Sequence, residues 1–250
     1  WSKKIGGISD FKSIRFARLF VKDFDQPVVL RFAQMQLVRA DWRRYTKPLS
    51  VGVPGVPGSP SDNTTFSVST VNIEENSTRV PVNYTLPPGF FREQDVTTPN
   101  NVQQNEQSVS VRFCNLQEGD ARGIFKTTRF DIRNYKRLRM FVHAEGESQG
   151  LRNGDVKAFI RLGTDLENNY YEYELPMLVT PDRSRDAQQV WPTENEINIA
   201  LEEFYLAKQL RQNANAPQNQ DFVYDLGGGK RITLRGVPDL SNVRVIMLGV

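Results

Sequence analysis

The sequence predicts an all-β protein: an antiparallel β-sandwich of jelly-roll (galactose-binding-like) type, with one short helix and long polar loops. Two observations lead there. Apolar residues recur at every second position through many short runs, the period of half-buried strands. Clusters of Gly, Pro, Asn and Asp bound those runs, as turns between strands require.

Taken in order, residues 13–22 are rich in β-branched and aromatic side chains and predict a strand. The Asp23-Phe24-Asp25-Gln26-Pro27 segment supplies a turn, and residues 28–39 predict a second strand ending near Trp42 and Tyr45. Residues 48–60 then hold four prolines and three glycines. Such a stretch sustains neither a ladder nor a helix, and it predicts a linker between two units. The expected organisation is therefore 1–47 as closing strands of a preceding β unit, 48–60 as linker, and 61–250 as a β-sandwich truncated at its C-terminal end.

Past the linker, strands are expected over 66–73, 108–114, 137–144, 155–162, 169–175 and 196–201. Residues 93–107 between the first two predict a long polar loop. In the later runs Leu138, Met140 and Val142, then Val156, Ala158, Ile160 and Leu162, then Tyr171, Tyr173 and Leu175 each mark one face. Leu201, Phe204, Tyr205 and Leu210 stand near helical spacing and predict a helix over 201–211. Residues 221–226 and 231–235 flank Gly227-Gly228-Gly229-Lys230, a hairpin signal. A last strand over 242–248 closes the chain.

Bulk composition bounds the function. The chain has 250 residues, 38% of them hydrophobic, enough for a packed core. No run approaches the ~20 apolar residues of a membrane-spanning helix. The chain opens Trp1-Ser2-Lys3-Lys4 with no apolar segment behind it, which reads as an internal cut and not a secretion signal. The single cysteine, Cys114, excludes an internal disulfide and cysteine-based zinc sites, and its alternating surroundings predict a buried strand residue. The net charge of +3 hides a gradient: residues 1–48 carry 11 basic and 4 acidic groups, and residues 49–125 carry 4 and 8. Because the N-terminal cations alternate with apolar residues along strands, they read as solvated faces and cross-strand pairs, not as a nucleic-acid interface.

One motif occurs twice. Gly7-Ile-Ser-Asp-Phe-Lys-Ser-Ile-Arg-Phe-Ala-Arg-Leu-Phe-Val21 aligns without gaps on Gly236-Val-Pro-Asp-Leu-Ser-Asn-Val-Arg-Val-Ile-Met-Leu-Gly-Val250, with five of 15 positions identical. Both copies read as a glycine turn, an aspartate that bonds local backbone amides, and a strand. The offset of 229 residues suits tandem β domains and is far too long for a solenoid repeat.

Several blocks are long and uncommon: Ile14 to Phe20, Pro27 to Phe32, Leu37 to Arg44, Phe130 to Glu145, Ala158 to Gly163 and Asn169 to Pro176. Together they closely resemble the SprA/Sov family, giant outer-membrane translocon proteins of the Bacteroidetes type IX secretion system that also serve gliding motility. The resemblance covers nearly the whole chain and is weakest in the linker and polar loops. It implies a place in a very large β-barrel channel of a Gram-negative outer membrane, passing folded cargo. It also implies partners: a lipid-binding barrel shuttle, a periplasmic plug, the rest of the parent barrel and secreted cargo proteins. It implies no catalytic residues and no cofactor. Arg15, Arg31, Arg139 and Arg161 interrupt the strands, and a cation facing lipid at mid-membrane costs about 2–4 kcal/mol. A soluble portion is therefore expected, with the extracellular cap preferred over the periplasmic side.

Candidate sites are few. His143 is the only histidine and reads as structural. The triple glycine lacks the leading glycine, the Ser or Thr after lysine and the helix of a phosphate loop. Glu172 and Glu174, or Glu194 and Glu196, are carboxylate pairs, but nothing in the sequence marks them as buried acids. Asp23 with Asp25, or Asp155 after Asn153-Gly154, offer oxygen ligands for calcium. Trp42, Trp191, Tyr170, Tyr171 and Tyr173 would supply the aromatic platform of a carbohydrate-binding jelly roll, the alternative function. Trp42, Phe90, Phe91 and Trp191 are expected as exposed aromatics on a partner surface.

Overall fold

A computed structural model describes residues 22–29, 42–47, 49–50, 64–94, 103–116 and 118–250. The chain divides into two compact units, Trp1–Arg39 and Ala40–Val250. Of the first unit, residues 22–29 are described: an exposed segment with a bend at Asp25-Gln26. The first copy of the doubled motif, nearly all of the strands expected over 13–22 and 28–39, and most of the 48–60 linker lie outside the described residues.

The second unit contains β1 (Arg43–Arg44), β2 (Leu49–Ser50), β3 (Thr65–Asn72), α1 (Ile73–Asn76), β4 (Gln107–Cys114), β5 (Asp120–Ala121), β6 (Gly123–Phe130) and β7 (Arg137–Met140). After these come β8 (Lys157–Gly163), β9 (Tyr170–Pro176), α2 (Ala187–Val190), β10 (Ile197–Ala200), α3 (Glu202–Asn213), β11 (Phe222–Gly227), β12 (Lys230–Arg235) and β13 (Val243–Gly249). The antiparallel β class expected from the sequence holds. One seven-stranded sheet dominates, in the order β1-β6-β13-β8-β9-β12-β11. Three two-stranded ribbons, β10-β7, β2-β5 and β3-β4, complete the described strands. The layer over the sheet is a ribbon and a helix and not a second large sheet, so a jelly-roll type is not confirmed.

Register assigns each side chain to a face. Ile124, Leu248, Ile160, Tyr173, Ile232 and Tyr224 lie in one row across six strands. This row belongs to the main core, which β7, β10 and α3 cover: Ile197, Ile199, Leu201, Phe204 and Ala207 pack into it, with Leu138 and Met140 at its margin. The helix enters through Phe204, Ala207 and Arg211, while Tyr205 is exposed. Steps of three and then four residues from Phe204 bring Ala207 and Arg211 to the same face. The Arg211 guanidinium donates to the Gly236 carbonyl at 2.7 Å, which satisfies its buried end.

Two turns show why glycine is needed. The β11–β12 hairpin turns through Gly228 and Gly229, with φ of 62° and 77°, the pair of positive angles a type I′ turn demands. Gly236, which opens the second copy of the doubled motif, has φ 66°, and a Cβ there would sit 1.9 Å from the Asn168 carbonyl oxygen. Three residues on, Asp239 accepts from the Ser241 amide at 2.8 Å, the local bond expected of the motif's aspartate. β13 then runs between β6 and β8 in the interior of the sheet.

Residues 42–50 belong with the second unit. β1 pairs with β6 and β2 with β5, while Tyr45 and Leu49 join a cluster with Ala121, Phe159 and Met247. The expected boundary at 47–48 is therefore displaced toward the N-terminus. The strand β6 was not expected, because Gly123-Ile-Phe-Lys-Thr-Thr-Arg-Phe does not alternate. It is flanked by β13 on one side and β1 on the other.

Candidate functional site

The back face of the large sheet is where charge gathers. Phe125, Met247, Arg161, Glu172 and Thr233 form one row, and Phe159, Glu174 and Arg231 lie in the next. Arg161 and Glu172 stand directly opposite on β8 and β9, and the Arg161 Nε donates to Glu172 at 2.8 Å. The Arg161 guanidinium lies 3.9 Å from the Tyr170 ring centroid. Burial is the strongest single influence and opposes its charge, yet Glu172, Tyr170 and Tyr45 together outweigh it and hold Arg161 above its ordinary pKa. Glu174, also buried, pairs with Lys157 at 2.9 Å and Arg231 at 2.8 Å. Burial pushes the Tyr170 hydroxyl up to about 12. Of the β9 carboxylates Glu174 is buried, against expectation, and Glu172 is half-buried, and cations engage both.

The aromatic residues singled out in the sequence separate into two places. Trp191 is only 8% exposed, so its expected surface position is corrected. It packs with Val82, Tyr84 and Val190 in a satellite core, and its indole N–H donates to the Thr85 carbonyl at 2.9 Å. Phe141 stands edge-on to both Trp191 and Phe90, at centroid distances of 6.4 and 5.5 Å. Phe90 therefore lies at the rim of this cluster, 58% exposed, and Phe91 is 84% exposed. Trp42 lies elsewhere, next to β1, half-buried and not exposed as expected, with the Lys126 ammonium 5.0 Å from its ring centroid. Tyr170, Tyr171 and Tyr173 are buried, so with Trp191 they form no exposed sugar platform.

His143 belongs to the same satellite region as a structural residue. Its Nδ1 lies 2.9 Å from the Val190 carbonyl oxygen and 3.0 Å from the Thr180 hydroxyl. Its Nε2 lies 3.4 Å from Glu145, which also pairs with Arg79. Burial first, and the positive Arg79 second, lower its pKa, against an opposing bond to Val190.

The remaining candidates resolve simply. Asp155 accepts from the Arg152 amide at 2.8 Å and closes a local turn, while Asn153 accepts from the Val179 amide at 2.7 Å and ties that turn to a segment 26 residues on. Asp23 pairs with Lys22 at 2.9 Å on an exposed segment. Among the described residues no group of three or more His, Cys, Asp or Glu is gathered as a metal site. Glu196 is buried and pairs with Arg139 at 2.7 Å. Cys114 is exposed, not buried, since it ends the two-stranded β3–β4 ribbon opposite Thr65.

An open crevice of about 350 Å³ lies between β1, the start of β3 and Arg122. Its cations are already engaged: Lys47 with Glu167, Arg122 with Asp120 at 3.6 Å, and Arg44 with the Phe66 carbonyl at 3.2 Å. No helix among the described residues is long and apolar enough to cross a membrane.

A search of curated proteins finds no match to the chain. A family model does match, over residues 1–250, and its description is motility related/secretion protein. With the whole length covered, and the β-rich fold agreeing with the resemblance read from its strand blocks, the chain belongs to the SprA_N family of motility and secretion related proteins.

Proposed function

We propose that this chain is a non-enzymatic structural and interaction module of an outer-membrane protein-secretion translocon, serving type IX secretion and gliding motility. The family match over 1–250 is the observation that carries this reading. Its partners are other translocon subunits, namely the lipid-binding barrel shuttle and the plug, together with secreted cargo. The module is a soluble portion of an envelope protein, on the extracellular side. The chemistry of the described residues supports a structural role: half-buried Glu172 and buried Glu174 are held by Arg161, Lys157 and Arg231. The buried imidazole of His143 is bonded to Val190 and Thr180.

Phe91 and Trp42 are the positions to probe. A photo-crosslinking residue at each, placed in the full-length protein in intact cells, is expected to give adducts with translocon subunits or cargo. Silence at both positions, with secretion intact, overturns the interaction reading. Cys114 reports the side of the membrane, because it is exposed. A membrane-impermeant thiol reagent should modify its peptide in intact cells; modification only after envelope disruption places the module inside.

A further inference from the structure

The strongest unassigned feature is a basic ridge studded with aromatics at one end of the sheet. It comprises the end of β6, the loop from Asp131 to Lys136 and the outer face of β7. On β7, Arg137 and Arg139 point away from the core that Leu138 and Met140 touch. In the loop, Lys136 is exposed and its ammonium has no ion-pair partner among the described residues; the same holds for the guanidinium of Arg129 at the end of β6. Between these cations stand Phe130, 50% exposed, and Tyr135, 66% exposed.

Neighbouring elements extend the ridge. The Ile132 amide donates to the Leu240 carbonyl at 2.9 Å and the Leu201 amide to the Lys136 carbonyl at 3.0 Å, so the loop lies against both the second copy of the doubled motif and the start of α3. Tyr205, 45% exposed on α3, and Asp239 both bear electrostatically on Arg133. Three nearby carboxylates are committed locally, Asp131 to Arg133, Asp239 to Ser241 and Glu196 to Arg139, and Glu202 at the start of α3 is exposed. Positive charge therefore remains in excess.

We infer that this ridge docks an acidic polypeptide segment that carries aromatic or apolar side chains between its carboxylates. Charge complementarity selects the carboxylates, which would meet Arg129 and Lys136 in place of water, and Arg137 beside Asn198, to which its guanidinium donates at 2.7 Å. Exposed aromatics set among cations select the apolar side chains, because Tyr and Phe bury large area at little entropic cost and anchor interfaces. A purely electrostatic surface has no use for Phe130 and Tyr135 held half or more in water. The inference rests on the reading of the chain as an interaction module and gives that reading a site and a ligand chemistry.

The test uses the full chain and two labelled peptides of equal negative charge, one with Phe and Tyr between its Asp and Glu residues and one with Ala in their place. Anisotropy titrations should show the aromatic peptide binding at least tenfold more tightly. The Arg129→Glu, Lys136→Glu double variant should weaken it about tenfold or more, and Tyr135→Ser about threefold or more. Arg152→Glu, on a distant exposed turn, should leave it unchanged. All these side chains are exposed, and an unchanged circular dichroism melt confirms that each variant is folded. Equal binding of the two peptides, equal loss with Arg152→Glu, or preferential binding to vesicles of anionic lipid overturns the proposal. Failure here with crosslinks still found at Phe91 or Trp42 removes this surface and leaves the interaction module standing.

Discussion

The two faces of the seven-stranded sheet are buried by different means. The front face is apolar: Ile160, Tyr173, Ile232 and Leu234 pack against a ribbon and a helix. The back face holds Arg161, Glu172, Glu174 and Arg231 in direct cross-strand pairs. The front derives its stability from area removed from water, about 1.5–3 kcal/mol for each fully buried large side chain. The back cannot do the same, because a buried charge is tolerable only while its partner is present. The first should respond to mutation in proportion to volume, the second according to whether charge stays balanced.

The largest expected effect tests the back face. Glu172→Gln or Arg161→Ala leaves one charge buried without its partner and should cost about 3–5 kcal/mol in urea unfolding. Arg161→Met combined with Glu172→Leu should recover most of that loss. A double variant as unstable as the sum of the singles would show that the two side chains support the sheet independently, with no coupling through their pairing. On the front face, Leu234→Ala should cost about 2–5 kcal/mol with no rescue by any charge change. A loss below about 1 kcal/mol would mean the core collapses around the gap and is not tightly packed.

The smallest effect concerns the satellite core beside the sheet. His143 resists protonation in the fold, while in the unfolded chain it takes a proton near its ordinary value of 6.5. Below that pH the unfolded state binds more protons, so stability is full above about 6.5 and declines as pH falls toward the depressed folded value. His143→Gln should flatten this slope between about pH 7 and 5.5. An unchanged slope would assign the decline to other groups.

The front face was legible residue by residue. Strands expected over 155–162, 169–175, 221–226 and 231–235 fall within a residue or two of β8, β9, β11 and β12, because alternation against one core leaves a period-two record. The Gly227 to Lys230 turn was legible for the same local reason. The back face was not: Glu172 and Glu174 read as solvated because a sequence cannot show that Arg161 and Arg231 lie opposite them. Trp191 and Cys114 were misplaced for a related reason. Burial outside the main sheet depends on what covers a residue, and for Trp191 that is Tyr84 and Phe141, far away in the chain.

Phe90 and Phe91 were expected to be exposed and are, whereas the ridge around Tyr135 was not anticipated. Its residues, Phe130 to Glu145, form part of a family block, but their exposure required knowing that β6 ends at Phe130 and β7 begins only at Arg137.

By itself the sequence determined the antiparallel β class, the position of most strands, the hairpin glycines, the doubled motif and the family, since each is written in local pattern or in contiguous residues. Only the tertiary structure decided the strand order, with β13 inserted between β6 and β8, the joining of residues 42–50 to the second unit, and the pairing of charges across the back face. Those depend on contacts between residues far apart in the chain, where hydrogen-bond register and not local propensity selects the neighbour.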